Sequence, residues 1–162
     1  LGIDVGAELD GYHADAAITV AIGDVSPEKL ALLNATREAL FLGIAQAVPG
    51  NRLRDISAAI QNHVERLGYS VVRDLVGHGI GRAMHEPPQV PNFVEEGQFA
   101  EYDLTLRPGM TLAIEPMVNM GGRGVTQDED RWTVRTADGL PSAHFEHTIA
   151  VTRGAPLVLT SE

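Results

Sequence analysis

The sequence predicts an α+β fold, a mostly antiparallel sheet covered by two helices, and three observations carry that reading. Apolar, alternating segments flank Asp10-Gly11 near the start; two stretches of helical period follow between Ser26 and Gly68; and beyond Tyr69 short extended runs alternate with Gly- and Pro-rich turns. At 162 residues, 44% of them hydrophobic, the chain can bury a sizeable core and is most simply one domain spanning 1–162.

The first element is a hairpin, because Asp-Gly supplies the positive φ that a two-residue type I′ turn needs. Such a turn pairs Leu9 with Tyr12, places Asp4 opposite Ala17, and makes Asp15 the diagonal neighbour of Asp4 on the same face. Ser26 then caps a helix with Pro27 at its first position, and Leu30, Leu33, Leu40, Phe41, Ile44 and Val48 keep its period until Pro49-Gly50. A second helix runs from about Leu53 to Leu67, with Ile56, Ala59, Ile60, Val64 and Leu67 on one face and Gly68 as its stop. His63 lies on it as an ordinary helix residue, with no acidic or histidine partner at helical spacing. The later segments YSVVRDLV, MTLAIEPMVNM, RWTVRTA and HFEHTIAVT read as strands, and Pro91–Leu106 as a polar surface excursion.

A formal charge of −10 argues against a phosphate-binding surface, so direct nucleic-acid binding is not expected. No apolar run approaches the roughly 20 residues of a membrane span. With no cysteine there is no disulfide or thiol chemistry, and a cytoplasmic location is the default. The chain opens on Leu1 with a segment that reads as mid-strand, which suggests that an N-terminal part is missing.

Five residues stand out as candidate metal ligands: Asp4, Asp15, His78, Glu115 and Glu146. An oxygen-rich set with one imidazole suits hard or borderline divalent ions held for hydrolysis. Four carboxylates carry about −4, which two divalent cations would balance. His78 sits in GHGIGRAMHE, whose glycines let the backbone pass close to a ligand; a buried histidine bonded to backbone is the alternative. His85, followed by Glu86-Pro87-Pro88, is better placed to face a substrate than to ligate. Glu115 interrupts an apolar strand before Pro116, and Glu146 alternates with Phe145, His147 and Ile149. A charge at either position needs a metal or a partner, and a buried ion pair with an arginine would also serve.

With these motifs in view, the chain resembles the methionine aminopeptidases, specifically the bacterial type I branch of the pita-bread metallopeptidases. The resemblance runs through IDVG, DGYHAD, GHGIGRAMHEPPQVPNF, LRPGMTLAIEPMVN and DRWTVRTADGLPSAHFEHTIAVT, essentially the whole chain. It implies the pita-bread fold and removal of the N-terminal methionine from nascent proteins by a hydroxide activated between two divalent metal ions (Mn, Fe, Co or Zn). By similarity Asp4 would chelate one ion, Asp15 and Glu146 would bridge both, and His78 and Glu115 would complete the other shell. His85 would hydrogen-bond the substrate peptide, Glu115 or Glu146 would shuttle a proton, and Trp132 would border the methionine pocket unless it is core. N-terminal segments of new proteins are the implied partners, with transient ribosome association.

Two departures are visible. Met84 stands where the family usually has a bulky aromatic, and the family's N-terminal half, with a further active-site histidine, has no counterpart in this sequence. The chain therefore reads as the metal-bearing catalytic portion of the fold. Proline-specific aminopeptidases and dipeptidases share the ligands, and a non-catalytic pita-bread peptide-binding module is the reading from another class.

Overall fold

The computed structural model describes residues 1–94 and 103–161. Strands β1 (Gly2–Leu9) and β2 (Tyr12–Thr19) form the expected hairpin, with Asp10 and Gly11 at φ 52° and 78°. Both values are positive, as a type I′ turn requires. The register follows from that turn: Leu9 pairs with Tyr12, Asp4 with Ala17 and Gly6 with Asp15.

Helix α1 (Pro27–Ala45) begins behind Ser26 but ends before the Pro49-Gly50 stop, with Gln46 as its C-cap. Its buried face also differs from the expected one. Leu32, Ala35, Ala39, Leu40 and Ile44 are buried, whereas Leu30 and Phe41 are exposed. The small residues decide this, because they let α2 (Leu53–Arg66) approach closely: a Cβ on Gly43 would meet Ile60 Cδ1 at 2.8 Å. Helix α2 buries Leu53, Ile56, Ile60 and Val64, while Leu67 lies past its end and is exposed. His63 does find an acidic partner, across the helix pair rather than along its own helix, with Nε2 3.1 Å from Glu38 Oε2.

The remaining strands are β3 (Ser70–Val71), β4 (Gly77–Gly79), β5 (Glu86–Val90), β6 (Thr111–Ile114), β7 (Met117–Asn119), β8 (Val125–Gln127), β9 (Val134–Thr136), β10 (Ser142–His144), β11 (Glu146–Ala150) and β12 (Leu157–Val158). The main sheet has the order β1-β2-β11-β6-β4-β5, with β12 also on β11; a second sheet runs β10-β7-β3, and β8 and β9 form a ribbon. Among the described residues every strand pairing is antiparallel.

Two segments expected as single strands each cross from one sheet to the other. MTLAIEPMVNM breaks at Glu115-Pro116, between β6 in the main sheet and β7 in the second. Proline has no N–H to continue a ladder, which explains the break. HFEHTIAVT breaks at Phe145, between β10 and β11, and the Phe145 amide donates to the Pro116 carbonyl at 3.4 Å. The two crossing points are thereby fastened to each other.

Two glycines of GHGIG are required by packing. A Cβ on Gly77 would lie 2.4 Å from the Ala113 carbonyl oxygen, and one on Gly79 the same 2.4 Å from that of Pro87. Glycine alone lets β4 fit between its neighbours. The Pro91–Leu106 excursion is anchored in the core at both ends, through Asn92, Phe93, Asp103 and Leu106, against the expectation that it lies outside the core. Residues 95–102, its middle, lie outside the described ones. Among the described residues no helix is long and apolar enough to cross a membrane.

Candidate metal centre

The main sheet delivers the candidate ligands from three directions. Asp15 comes from β2, which is locked to β11 by one side chain: the Asp15 amide donates to Thr148 Oγ1 at 2.8 Å, and that hydroxyl donates to the Asp15 carbonyl at 2.8 Å. Glu115 and Glu146 come from the two crossing points, where the chain leaves one ladder for another. Asn92, fully buried, steadies the first by donating from Nδ2 to the Glu115 carbonyl at 3.1 Å. His78 comes from β4, with Nε2 3.5 Å from Glu115 Oε1 and 4.0 Å from Asp15 Oδ2.

The orientation of the ring follows from its other nitrogen. His78 Nδ1 lies 2.9 Å from the Gly79 carbonyl, and a carbonyl can only accept, so Nδ1 donates there. Nε2 is thereby turned toward the carboxylates, the arrangement of a metal-binding histidine. The bond to backbone and the role of ligand are thus compatible, not alternatives.

Burial and like charge work against ionisation. Glu146 is 2% exposed, and its carboxyl is pushed up to about 9, first by burial and then by Glu115, Asp15 and Asp4. Asp15 is also raised, by burial and then by Asp4, with His78 partly opposing. Glu146 Oε1 is buried and has no hydrogen-bond partner. Among the described residues no arginine pairs with Glu115 or Glu146, so the ion-pair alternative fails. A buried oxygen without a donor, among carboxylates that repel one another, is what a bound cation would satisfy. The donor set fits divalent ions of the hard to borderline kind.

Asp15, His78 and Glu146 present ligand atoms within 4.8 Å of one another, and so do Glu115, His144 and Glu146. Asp4 is outside both groups; the β1–β2 register puts it next to Asp15, and its charge acts on Asp15 and Glu146. His144 had not been singled out from the sequence. It closes β10 two positions before Glu146, at the crossing point between the sheets, and no feature of the sequence marks that crossing.

His85 is exposed and stacks beside the centre, its ring centroid 4.2 Å from that of His78. Met84 covers the carboxylate face, since a Cβ on Gly6 would meet Met84 Cε at 2.3 Å and Asp15 Oδ1 at 3.8 Å. Trp132 is not brought to the cluster. It is 88% exposed, which excludes a core role, and it lies in the bend before β9, so the expected strand RWTVRTA begins only at Val134. His147 points away from Glu146, as alternation requires, and packs on Phe41 of α1.

The model of metallopeptidase family M24 matches residues 1–153. The chain belongs to this family. As a metallopeptidase family, M24 implies use of a divalent metal, in keeping with the clusters above. The M24 chain is 49% identical to methionine aminopeptidase 1 of Bacillus subtilis and 51% identical to the methionine aminopeptidase of Clostridium perfringens, over 99% of its own length and 63% of theirs. It superposes on the crystal structure of a methionine aminopeptidase from Thermotoga maritima with a TM-score of 0.93 at 46% identity, again covering 99% of this chain and 63% of that one. The prolidase of Pyrococcus furiosus shares the fold at a TM-score of 0.76 and 21% identity. The pita-bread architecture expected from the sequence is therefore present, and the chain spans about three fifths of its curated relatives' length.

Proposed function

We propose that residues 1–162 are the metal-bearing catalytic portion of a methionine aminopeptidase, which removes the N-terminal methionine from newly made proteins and peptides. One observation carries the reading: Asp15, His78, Glu115 and Glu146 converge in a chain 49% identical to a methionine aminopeptidase. In this reading Asp4, Asp15, His78, Glu115 and Glu146 hold two divalent ions from among Mn, Fe, Co and Zn. Bound there, the ions would supply Lewis acidity toward the scissile carbonyl and a water made acidic near neutral pH.

The protein's own groups do the rest. His78 presents Nε2 to the site, because the Gly79 carbonyl holds the ring through Nδ1. The Glu115 carboxylate accepts the water proton and passes it to the leaving amine. His85, exposed beside His78, donates to the substrate carbonyl as charge develops on its oxygen. Trp132 borders the pocket for the methionine side chain, which requires the β8–β9 ribbon to lie against the substrate. The work is cytoplasmic, with transient contact to ribosomes.

The test is mass-spectrometric: the purified chain with Mn²⁺ is offered a mixture of Met-Ala-Ser and Ala-Pro-Ser peptides. Loss of methionine alone is the expected result. Loss of alanine instead would move the activity to the proline-specific branch, and recovery of both peptides intact would refute the proposal for this chain.

A further inference from the structure

The ladder between β2 and β11 stops one pair short of the carboxylate it supports. Its register couples Glu146 with Ala17 and His147 with Ala16, so the next pair would be Thr148 with Asp15. The backbone of Thr148 is engaged elsewhere: its amide donates to Thr160 Oγ1 at 3.2 Å, and its carbonyl accepts from the Leu159 amide at 2.9 Å, just past β12. Only its side chain is left for β2. The hydroxyl accepts from the Asp15 amide and donates to the Asp15 carbonyl, each at 2.8 Å, and so stands in for a pair of ladder bonds. At 2% exposure Thr148 is shut off from solvent. Asp15 rides on one of the two strands so joined and Glu146 on the other, two residues from Thr148.

We propose that Thr148 is a positioning residue for the metal centre: its hydroxyl sets the separation of the Asp15 and Glu146 carboxylates, and thereby the affinity for divalent ions. The inference rests on the proposed metal centre but not on peptide hydrolysis. Thr148 is not itself a ligand. It acts by holding the Asp15 backbone, so that the carboxylate enters the site in one orientation, with Oδ1 accepting from the Ala16 amide at 3.1 Å. Without the hydroxyl, the Asp15 amide and carbonyl both lose this partner, and the strand shifts to find others.

Variants of the full chain separate the hydroxyl from the fold. Thr148→Val keeps the shape and removes the hydroxyl, Thr148→Ser keeps the hydroxyl, and Ile149→Val trims the buried core on the opposite face of β11. Mn²⁺ affinity is measured by chelator competition, Tm by circular dichroism, and exchange of the Asp15 amide by NMR on the metal-free chain. Loss of a partner that orients a ligand costs about 10- to 100-fold in metal affinity, which is the loss expected for Thr148→Val. Thr148→Ser should bind as the parent does, and Ile149→Val should lower Tm with affinity unchanged. The Asp15 amide should exchange faster in Thr148→Val alone. If that variant does not fold, Thr148→Ala carries the same expectation without a second methyl against the Asp15 backbone. Parental affinity in a folded variant lacking the hydroxyl, an equal loss in Thr148→Ser, or an equal loss in Ile149→Val at matched Tm would overturn the proposal and leave Thr148 a residue of the fold alone. A parent that takes up no Mn²⁺ would remove the metal centre and this proposal with it. Peptide cleavage is scored separately, so a chain whose Mn²⁺ affinity depends on the Thr148 hydroxyl but that cleaves nothing would sink the functional reading alone.

Discussion

Glu146 holds its proton far above the ordinary carboxyl range, and the consequence for stability has a definite sign. Its value rises from 4.5 to about 9 in the folded, metal-free protein, so the folded state binds that proton more tightly than the unfolded chain. The benefit is complete below about 4.5 and lost as pH climbs through about 9. The metal-free Tm should therefore fall across that window, with a slope of up to about 1.4 kcal/mol per pH unit. Glu146→Gln should flatten the slope, and thermal melts at several pH values would reveal it; a parent stability independent of pH there contradicts the buried, cation-less carboxyl. For metal binding, Asp15→Ala and Glu146→Ala are each expected to abolish both metal uptake and methionine release, read by metal analysis of the purified variants. Undiminished hydrolysis in either would remove the assigned ligand set. At this scale much was legible in sequence, because a lone carboxylate in an apolar strand is costly and so conspicuous, as with Glu115 and Glu146. His144 escaped notice because histidine in a strand carries no comparable penalty. For Trp132 the sequence leaves pocket border and core both open, and only the fold shows it standing in solvent.

Among elements, the hairpin was readable down to its register, since the Asp-Gly turn type fixes which residues face each other. Helix α1 was readable as a helix but not in its orientation. Apolar residues surround it, so the periodicity names no single face, and the close approach of Ile60 at Gly43 makes the choice. Some of the rejected face, Leu33 and Phe41, lines a groove of about 490 Å³ against β2 and β11. The divided strands escaped because β6 and β7 form one unbroken apolar pattern; only the partners of their hydrogen bonds distinguish them. Strand β4 yields a sharp prediction. Gly79→Ala puts a methyl 2.4 Å from backbone that cannot step aside, and should cost about 1–3 kcal/mol or more. Gly2→Ala, where nothing lies within 4 Å, serves as the control and should be close to neutral. Denaturant melts of the pair measure the difference, and equal midpoints would contradict the packing.

For the whole molecule, the general plan of helices on an antiparallel sheet was legible from periodicity, whereas the partition into two sheets and a ribbon was not. Strand β1 lies at the end of the main sheet, exposed along its full length, with Ile3, Val5 and Leu9 among its side chains. An eight-residue edge of this kind offers unpaired backbone groups to another chain. The isolated chain should accordingly associate as its concentration rises, and Val5→Lys should suppress this by charging the edge, as sedimentation velocity would report. A parent that stays monomeric at high concentration would argue against a sticky edge.

The crossing points have one more consequence. Glu115 and Glu146 stand where the polypeptide passes between sheets, so cations gripping both would act as a rivet through two plates. The amide of Phe145, bonded to the Pro116 carbonyl beside that rivet, becomes a built-in gauge of its tightness. Its hydrogen exchange should slow when Mn²⁺ is added and quicken under a chelator, with the β1–β2 turn at the far end of the hairpin unchanged. Loss of metal would then be felt first as a loosening between the sheets and only later as unfolding of either.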